Sequence, residues 1–225
     1  MTRDLRHWAC KAISYFWDLN AETAVSGVSG KLQVRMVNGK LLLDAPHANY
    51  SFGSLHSLFR KVFLHLGTGN HPPSNLLLLG LGGGSVIAIL RDEYHLDLPV
   101  TAVEKDPEVI RIAHEYFGLG GYSNVDIVCM DAEEYARQAT EPFPLIIIDL
   151  FIDNEVPEPF TRLPFLRNCG RILSPGGRIV FNFIVKDQAG SRNYQALRNN
   201  LGTAGFVCTE LRIFSTNRVL LISLP

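Results

Sequence analysis

A run of glycines between an apolar segment and a predicted helix constrains this chain most strongly. Leu76 to Leu79 are apolar without alternation, which is typical of a parallel strand buried on both faces. Four of the next five residues, 80–84, are glycines. Glycine permits positive φ angles and lets a ligand approach the backbone closely. Residues 85–93 then predict a helix whose first N–H groups point back at the glycine loop.

A second buried strand follows this unit and ends in an acid. Val100 to Val103 are apolar, and Glu104 comes about twenty residues after the glycines. A carboxylate at that spacing suits hydrogen bonding to the two hydroxyls of a ribose. The unit is therefore predicted to hold a nucleoside.

The remainder of the chain continues the alternation of strands and helices. Further strands are predicted at Asp126–Cys129, Phe143–Ile148, Arg178–Ile184, Phe206–Phe214 and Arg218–Leu224, and helices at 107–117, 160–173 and 191–204, with one more opening at Asp131. Only three residues separate the last two strands, a link too short to cross over, so this pair is antiparallel. We therefore expect an α/β fold, a Rossmann-like seven-stranded, mostly parallel sheet with a C-terminal antiparallel hairpin.

The first seventy residues follow a different pattern. Apolar residues at helical spacing predict a short amphipathic helix from Trp8 to Leu19, and Lys31–Asp44 alternates around an Asn-Gly turn as a β-hairpin does. Residues 55–66 predict a helix, and a Gly/Pro-rich break follows it. We expect a small N-terminal region, residues 1–70, and a nucleoside-binding domain, residues 71–225.

Composition excludes several classes of function. The 225 residues carry a formal net charge of −1 without a basic block, which argues against a nucleic-acid-binding surface. No segment is long and apolar enough to span a membrane, so a cytoplasmic protein is expected. The four cysteines are widely separated and predict free thiols, and neither they nor the histidines show metal-ligand spacing.

Four consecutive strands of the predicted domain end in residues suited to a ligand. These residues are Gly80, Glu104, Asp131 and Asp149. In open α/β sheets, ligands bind beyond the carboxyl ends of the strands. Each residue also has a simpler explanation, because glycines form tight turns and acids at strand ends cap helices or face water. Their conjunction is more specific than any one of them.

Six stretches resemble the spermidine synthase family of the class I S-adenosylmethionine-dependent methyltransferase superfamily. They are Val-Asn-Gly-Lys-Leu-Leu-Leu-Asp (37–44), Leu-Leu-Leu-Leu-Gly-Leu-Gly-Gly-Gly (76–84), Ala-Val-Glu-Lys-Asp-Pro-Glu-Val-Ile (102–110), Met-Asp-Ala (130–132), Ile-Ile-Ile-Asp (146–149) and Leu-Ser-Pro-Gly-Gly (173–177). The resemblance implies a sulfonium cofactor, S-adenosylmethionine or its decarboxylated form, with Asp149 at the reacting centre. The cofactor-binding residues it implies are Gly80, Leu81, Gly82, Gly83, Gly84, Glu104, Lys105, Asp131, Ala132 and Asn49. Among them, Glu104 would bind the ribose, and Asp131 with Ala132 would face the adenine.

The chain departs from this family where the family binds amines. Gly83 stands where the family has the aspartate that holds the aminopropyl amine of the cofactor, and Leu55-His56-Ser57 stands for Tyr-His-Glu. The paired aspartates of the family, three residues apart, are replaced by Asp149 and Asp153, four apart. Loss of these groups favours transfer of a methyl group over transfer of an aminopropyl group.

Three hypotheses of function are compatible with these residues. The first is a transferase acting on a small-molecule acceptor such as an amine, and as a homodimer if it follows the family, which commonly dimerises. The second is a binding or regulatory module that keeps the fold without turnover. The third is a nicotinamide-dependent oxidoreductase, although Ser85 stands where the last glycine of that fingerprint belongs.

Overall fold

The computed structural model describes residues 11–45, 53–152 and 155–225, which form two sheets. The smaller sheet is antiparallel, with strands in the order β1 (Leu19–Ser26), β2 (Gly30–Val37) and β3 (Lys40–Asp44). The predicted hairpin of residues 31–44 corresponds to β2 and β3 of this sheet. The helix predicted through Leu19 is wrong at its end, because Leu19 begins β1.

The larger sheet has seven strands and carries the predicted fold. Its strands are β4 (Leu76–Leu79), β5 (Val100–Glu104), β6 (Val125–Cys129), β7 (Phe143–Ile148), β8 (Leu173–Ile184), β9 (Val207–Arg212) and β10 (Asn217–Ser223). They lie in the order β6-β5-β4-β7-β8-β10-β9, and only β10 pairs antiparallel, with β8 and β9. The mostly parallel Rossmann-like sheet and its C-terminal antiparallel hairpin are confirmed.

Within the described ranges, six α-helices connect and cover these strands. They are α1 (Ser54–Leu66), α2 (Ser85–Ala88, continued by a π-helical turn at Ile89–Glu93), α3 (Pro107–Tyr116), α4 (Ala132–Gln138), α5 (Leu163–Arg171) and α6 (Gln188–Thr203). The prediction extended α5 to residue 173 and began β8 at residue 178. In the structure β8 already begins at Leu173, beside Phe143 of β7.

The central strands are apolar throughout because each contributes to two cores. Leu77 and Leu79 of β4 pack into the cluster beneath α5 and α6, whereas Leu76 and Leu78 pack into the cluster with α1 and α2. All four side chains are buried. Alternate residues point to opposite faces of a strand, so a strand covered on both faces loses polar alternation.

A hydrogen bond connects the small sheet to the large sheet beside the carboxyl end of β5. Ser26, the last residue of β1, donates a hydrogen bond from Oγ to Oδ2 of buried Asp106 over 2.5 Å. The same Oγ accepts from the N–H groups of Val28 and Ser29. Asp106 also caps α3 by accepting from the N–H of Glu108 at 2.9 Å. The β1–β2 turn is thereby held over the edge where ligands bind in this fold class.

Three further observations bear on the sequence predictions. Helix α1 buries Phe59 and Phe63 in the core of the large sheet, so the boundary between residues 70 and 71 stays a prediction. Among the described residues, no helix is both long and apolar enough to cross a membrane. The three cysteines within these ranges, Cys129, Cys169 and Cys208, are free thiols, as predicted.

Candidate active site

The glycine loop is shaped by the close approach of the next strand of the sheet. Gly80 has a φ of +95°, and a Cβ there would overlap the carbonyl oxygen of Asp149 and lie 2.9 Å from its carbonyl carbon. Gly84, at φ +76°, leads into α2 against Leu119. Only glycine meets both demands at residue 80, since the left-handed conformation and the contact each exclude a side chain.

Glu104 is held at the end of β5 by backbone N–H groups. Its Oε2 accepts from the N–H of Leu81 at 3.2 Å, and its Oε1 accepts from the N–H of Asp106 at 3.0 Å. Burial raises the pKa of Glu104, and these backbone hydrogen bonds oppose the rise. Each carboxylate oxygen accepts more than one hydrogen bond, so both can still accept from a ribose diol.

Asp131, at the end of β6, is engaged locally. Its Oδ1 accepts from the N–H of Glu133 and caps α4 at 2.9 Å. Its Oδ2 lies 3.6 Å from Nζ of Lys105, and both side chains are about 40% exposed. Ala132, the next residue, is buried and lines a cavity at the carboxyl ends of the parallel strands.

Asp149 directly follows β7, and its side chain is hydrogen-bonded to the first of two linked amide side chains. Nδ2 of Asn182 donates to Oδ1 of Asp149 at 2.9 Å, and Nδ2 of Asn217 donates to Oδ1 of Asn182 at 3.1 Å. Asn182 is fully buried in β8, so its amide stands in a fixed position. Burial raises the pKa of Asp149 to about 7, although the hydrogen bond from Asn182 opposes this. The carboxyl group is therefore poised to exchange a proton near neutral pH.

Gly80, Glu104 and Asp149 line one cavity of about 260 Å³ at the carboxyl ends of the parallel strands. Of the predicted site residues, the cavity brings together Gly80, Gly82, Glu104, Lys105, Ala132 and Asp149. The other lining residues are Val28, Ser29, Leu55, Leu58, Val103, Val109, Met130, Leu150, Phe151, Ile152, Pro157, Phe160, Asn182, Ile184, Lys186, Thr216 and Asn217. The cavity thus extends from the β1–β2 turn and α1 across the large sheet to β10.

Several predicted residues are placed elsewhere. The side chain of Leu81 is buried in the core, and only its N–H reaches the site, where it donates to Glu104. Gly83 and Gly84 are buried, Asp131 is partly exposed, and none of the three lines the cavity. Asn49 lies outside the described residues. The roles predicted for all of these residues stay predictions.

Sequence reasoning missed the amide chain and the residues of the C-terminal segment. A signal for Asn182 was present, because an asparagine interrupts the apolar run Arg-Ile-Val-Phe-Asn-Phe-Ile-Val (178–185). A polar residue inside a buried strand requires a partner, and here that partner is Asp149. Asn217 gave no local signal, since it reaches the cavity only by pairing opposite Ile184.

Known proteins resemble this chain in both sequence and structure. A family model described as a methyltransferase domain matches residues 76–177. A polyamine aminopropyltransferase of Chromobacterium violaceum is 32% identical over 133 residues, which are 59% of this chain and 49% of that protein. The chain spans half or less of the length of the curated relatives that match it first.

Two solved structures share the arrangement of strands and helices. Human methyltransferase-like protein 13, in complex with SAH, superposes with a TM-score of 0.65 at 23% identity, over 77% of this chain and 83% of that one. Spermidine synthase from Thermotoga maritima superposes with a TM-score of 0.68 at 14% identity, over 91% of this chain and 72% of that one. Residues 76–177 thus match the model of a methyltransferase domain, and the chain shares its fold with a methyltransferase-like protein and a spermidine synthase.

Proposed function

We propose that this chain is an S-adenosylmethionine-dependent transferase that moves a methyl group to a small-molecule acceptor. One observation carries the proposal: the glycine backbone, Glu104 and a partly buried Asp149 line a single cavity. The matched family model and the names of the relatives support a transferase of this type, and nothing in them supports a nicotinamide-dependent oxidoreductase.

The residues present fit a sulfonium nucleoside. Gly80 and Gly82 offer bare backbone to the amino-acid chain of the cofactor, Glu104 offers two fixed acceptors to the ribose, and Ala132 leaves room for the adenine. Lys105 lines the same end of the cavity. When bound, this cofactor supplies an electrophilic carbon on a good leaving group, so the protein has mainly to align the acceptor.

Asp149 is the group proposed to handle the proton of the acceptor. The carboxylate takes a proton from an attacking O–H, N–H or S–H group as the new bond forms, and the amide of Asn182 keeps one oxygen oriented. A carboxyl group whose pKa is about 7 is half ionised at neutral pH and accepts a proton more readily than an ordinary aspartate.

The charges in the cavity favour methyl over aminopropyl transfer. A decarboxylated cofactor presents a cationic amine and needs an anion beside it. Gly83 gives none, and among the described lining residues the carboxylates are Glu104, engaged by backbone N–H groups, and Asp149 at the reacting centre. Intact S-adenosylmethionine brings its own carboxylate, which would be repelled by an additional acid at residue 83.

Titration calorimetry with three ligands tests the proposal. We expect S-adenosylmethionine to bind, decarboxylated S-adenosylmethionine to bind at least about tenfold more weakly, which is about 1.4 kcal/mol, and NAD not to bind. Preference for the decarboxylated form would restore aminopropyl transfer. Binding of NAD without the sulfonium compounds would overturn the proposal.

Asp149→Ala should still bind the cofactor but should transfer no methyl group. If the unaltered protein binds the cofactor tightly and turns over no acceptor, a regulatory module would be favoured.

A further inference from the structure

The strand order divides the cavity into two halves. Strands β5 and β6 lie on one side of β4, and their ends supply Glu104 and Ala132. Strands β7, β8 and β10 lie on the other side, and residues in them or beside their ends supply Asp149, Asn182, Lys186 and Asn217. If the nucleoside occupies the first half, as proposed above, the acceptor is left with the second.

The second half is largely apolar. Its wall consists of Leu150, Phe151, Ile152, Pro157, Phe160 and Ile184. Two of these are aromatic, and Phe160 packs edge-on against Phe165 with ring centroids 5.2 Å apart, which fixes its ring. Such a wall favours the carbon skeleton of an apolar or aromatic molecule over a hydrated polycation.

One cation in this half has no counter-ion among the described residues. Lys186, which follows β8 at the mouth of the cavity, makes no ion pair with the described residues. The neighbouring Asp187 uses its Oδ1 to cap α6, accepting from the N–H of Gly190 at 2.7 Å. The amides of Asn182 and Asn217 are directed at each other and at Asp149. Lys186 is therefore the positive charge that an acceptor would meet in this half of the cavity.

We propose that the acceptor is an apolar or aromatic molecule carrying an anionic group that pairs with Lys186, and that Lys186 determines this specificity. The nucleophilic atom of the acceptor then faces Asp149, and its carbon skeleton lies along the apolar wall. A polyamine is disfavoured, because its charges would face a lysine that makes no ion pair with the described residues and a single carboxyl group that is only partly ionised at neutral pH. This inference rests on the proposed function for its division of the cavity.

A matched pair of ligands tests the charge preference. 4-Hydroxyphenylacetate and tyramine share a phenol ring and differ in the sign of the charge on the side chain, and putrescine represents a polyamine. Each is titrated into protein saturated with S-adenosylhomocysteine. We expect the carboxylate to bind at least about tenfold more tightly than either amine.

Charge reversal at Lys186 provides the second readout. Lys186→Glu should reverse the order of the carboxylate and tyramine, Lys186→Gln should reduce the difference, and Lys31→Glu, an exposed position on β2, should leave it unchanged. Tighter binding of an amine to the unaltered protein, failure of all three ligands to bind, or the same preference in Lys186→Glu would overturn the inference. Saturation with S-adenosylhomocysteine is measured first, so a failure there counts against the proposed function and not against the charge preference.

Discussion

At the scale of single residues, the environment of Asp149 sets the pH dependence of the proposed reaction. The carboxylate form acts as the base, so transfer should rise with pH through about 7 and then level off. Asn182 lowers the pKa by donating to Oδ1. Asn182→Ala should therefore move the midpoint to higher pH while the plateau rate stays within about tenfold, as shown by rates measured from pH 5 to 9. An unmoved midpoint with a lower plateau would give Asn182 a purely structural role.

The same carboxyl group should lower the stability of the protein as pH rises. Its pKa is 3.8 when unperturbed and about 7 in the folded protein, so between these values the folded state binds more protons than the unfolded state. The free energy of unfolding therefore falls with rising pH across this window. Asparagine cannot titrate and still accepts from Asn182.

We thus expect Asp149→Asn to stabilise the protein more at pH 8 than at pH 5. Because Asp149 is partly exposed, the gain at pH 8 should exceed that at pH 5 by only about 1–2 kcal/mol, measured by urea unfolding. An equal gain at both values would mean that the folded carboxyl group titrates near its ordinary pKa.

At the scale of elements, the turn from β4 into α2 depends on Gly80. Alanine would place a Cβ against the backbone of Asp149 in a left-handed conformation. Gly80→Ala should cost about 2–4 kcal/mol of unfolding free energy and weaken cofactor binding at least about tenfold, because β4 and β7 must separate. Chemical denaturation and calorimetry measure the two effects.

Gly202→Ala is the matched control for this substitution. Gly202 lies in α6, has an ordinary φ, and nothing lies within 4 Å of an added Cβ. Alanine there should be neutral or slightly stabilising because it favours the helix. If Gly80→Ala were equally well tolerated, the loop would have more freedom than its geometry indicates.

The elements also show what a sequence can and cannot reveal. The parallel strands β4, β5 and β7 were predictable because burial on both faces leaves largely apolar runs. Strand β1 was not, since a register shift between Asn20 and Glu22 breaks its alternation and Val25 is 84% exposed. Asn217 reaches the cavity through the antiparallel pairing of β10 with β8, which no local pattern reports.

At the scale of the whole molecule, the two sheets share the cavity. Val28 and Ser29 of the β1–β2 turn line it together with the strand ends of the large sheet. Ser26 links that turn to Asp106, and Arg111 of α3 pairs with Glu22 of β1. A ligand that fills the cavity should therefore order the small sheet as well as the glycine loop.

Hydrogen exchange with and without S-adenosylhomocysteine measures this coupling. We expect the ligand to slow exchange severalfold in residues 26–29 as well as in 80–84, and to leave β9, at the far edge of the large sheet, unchanged. Ser26→Ala removes the Oγ that joins the turn to Asp106, so protection should persist in the glycine loop and diminish in the turn. If the ligand slowed exchange only in the large sheet of the unaltered protein, the turn would lie beside the cofactor without responding to it. The small sheet would then have to act on the acceptor or on another part of the molecule.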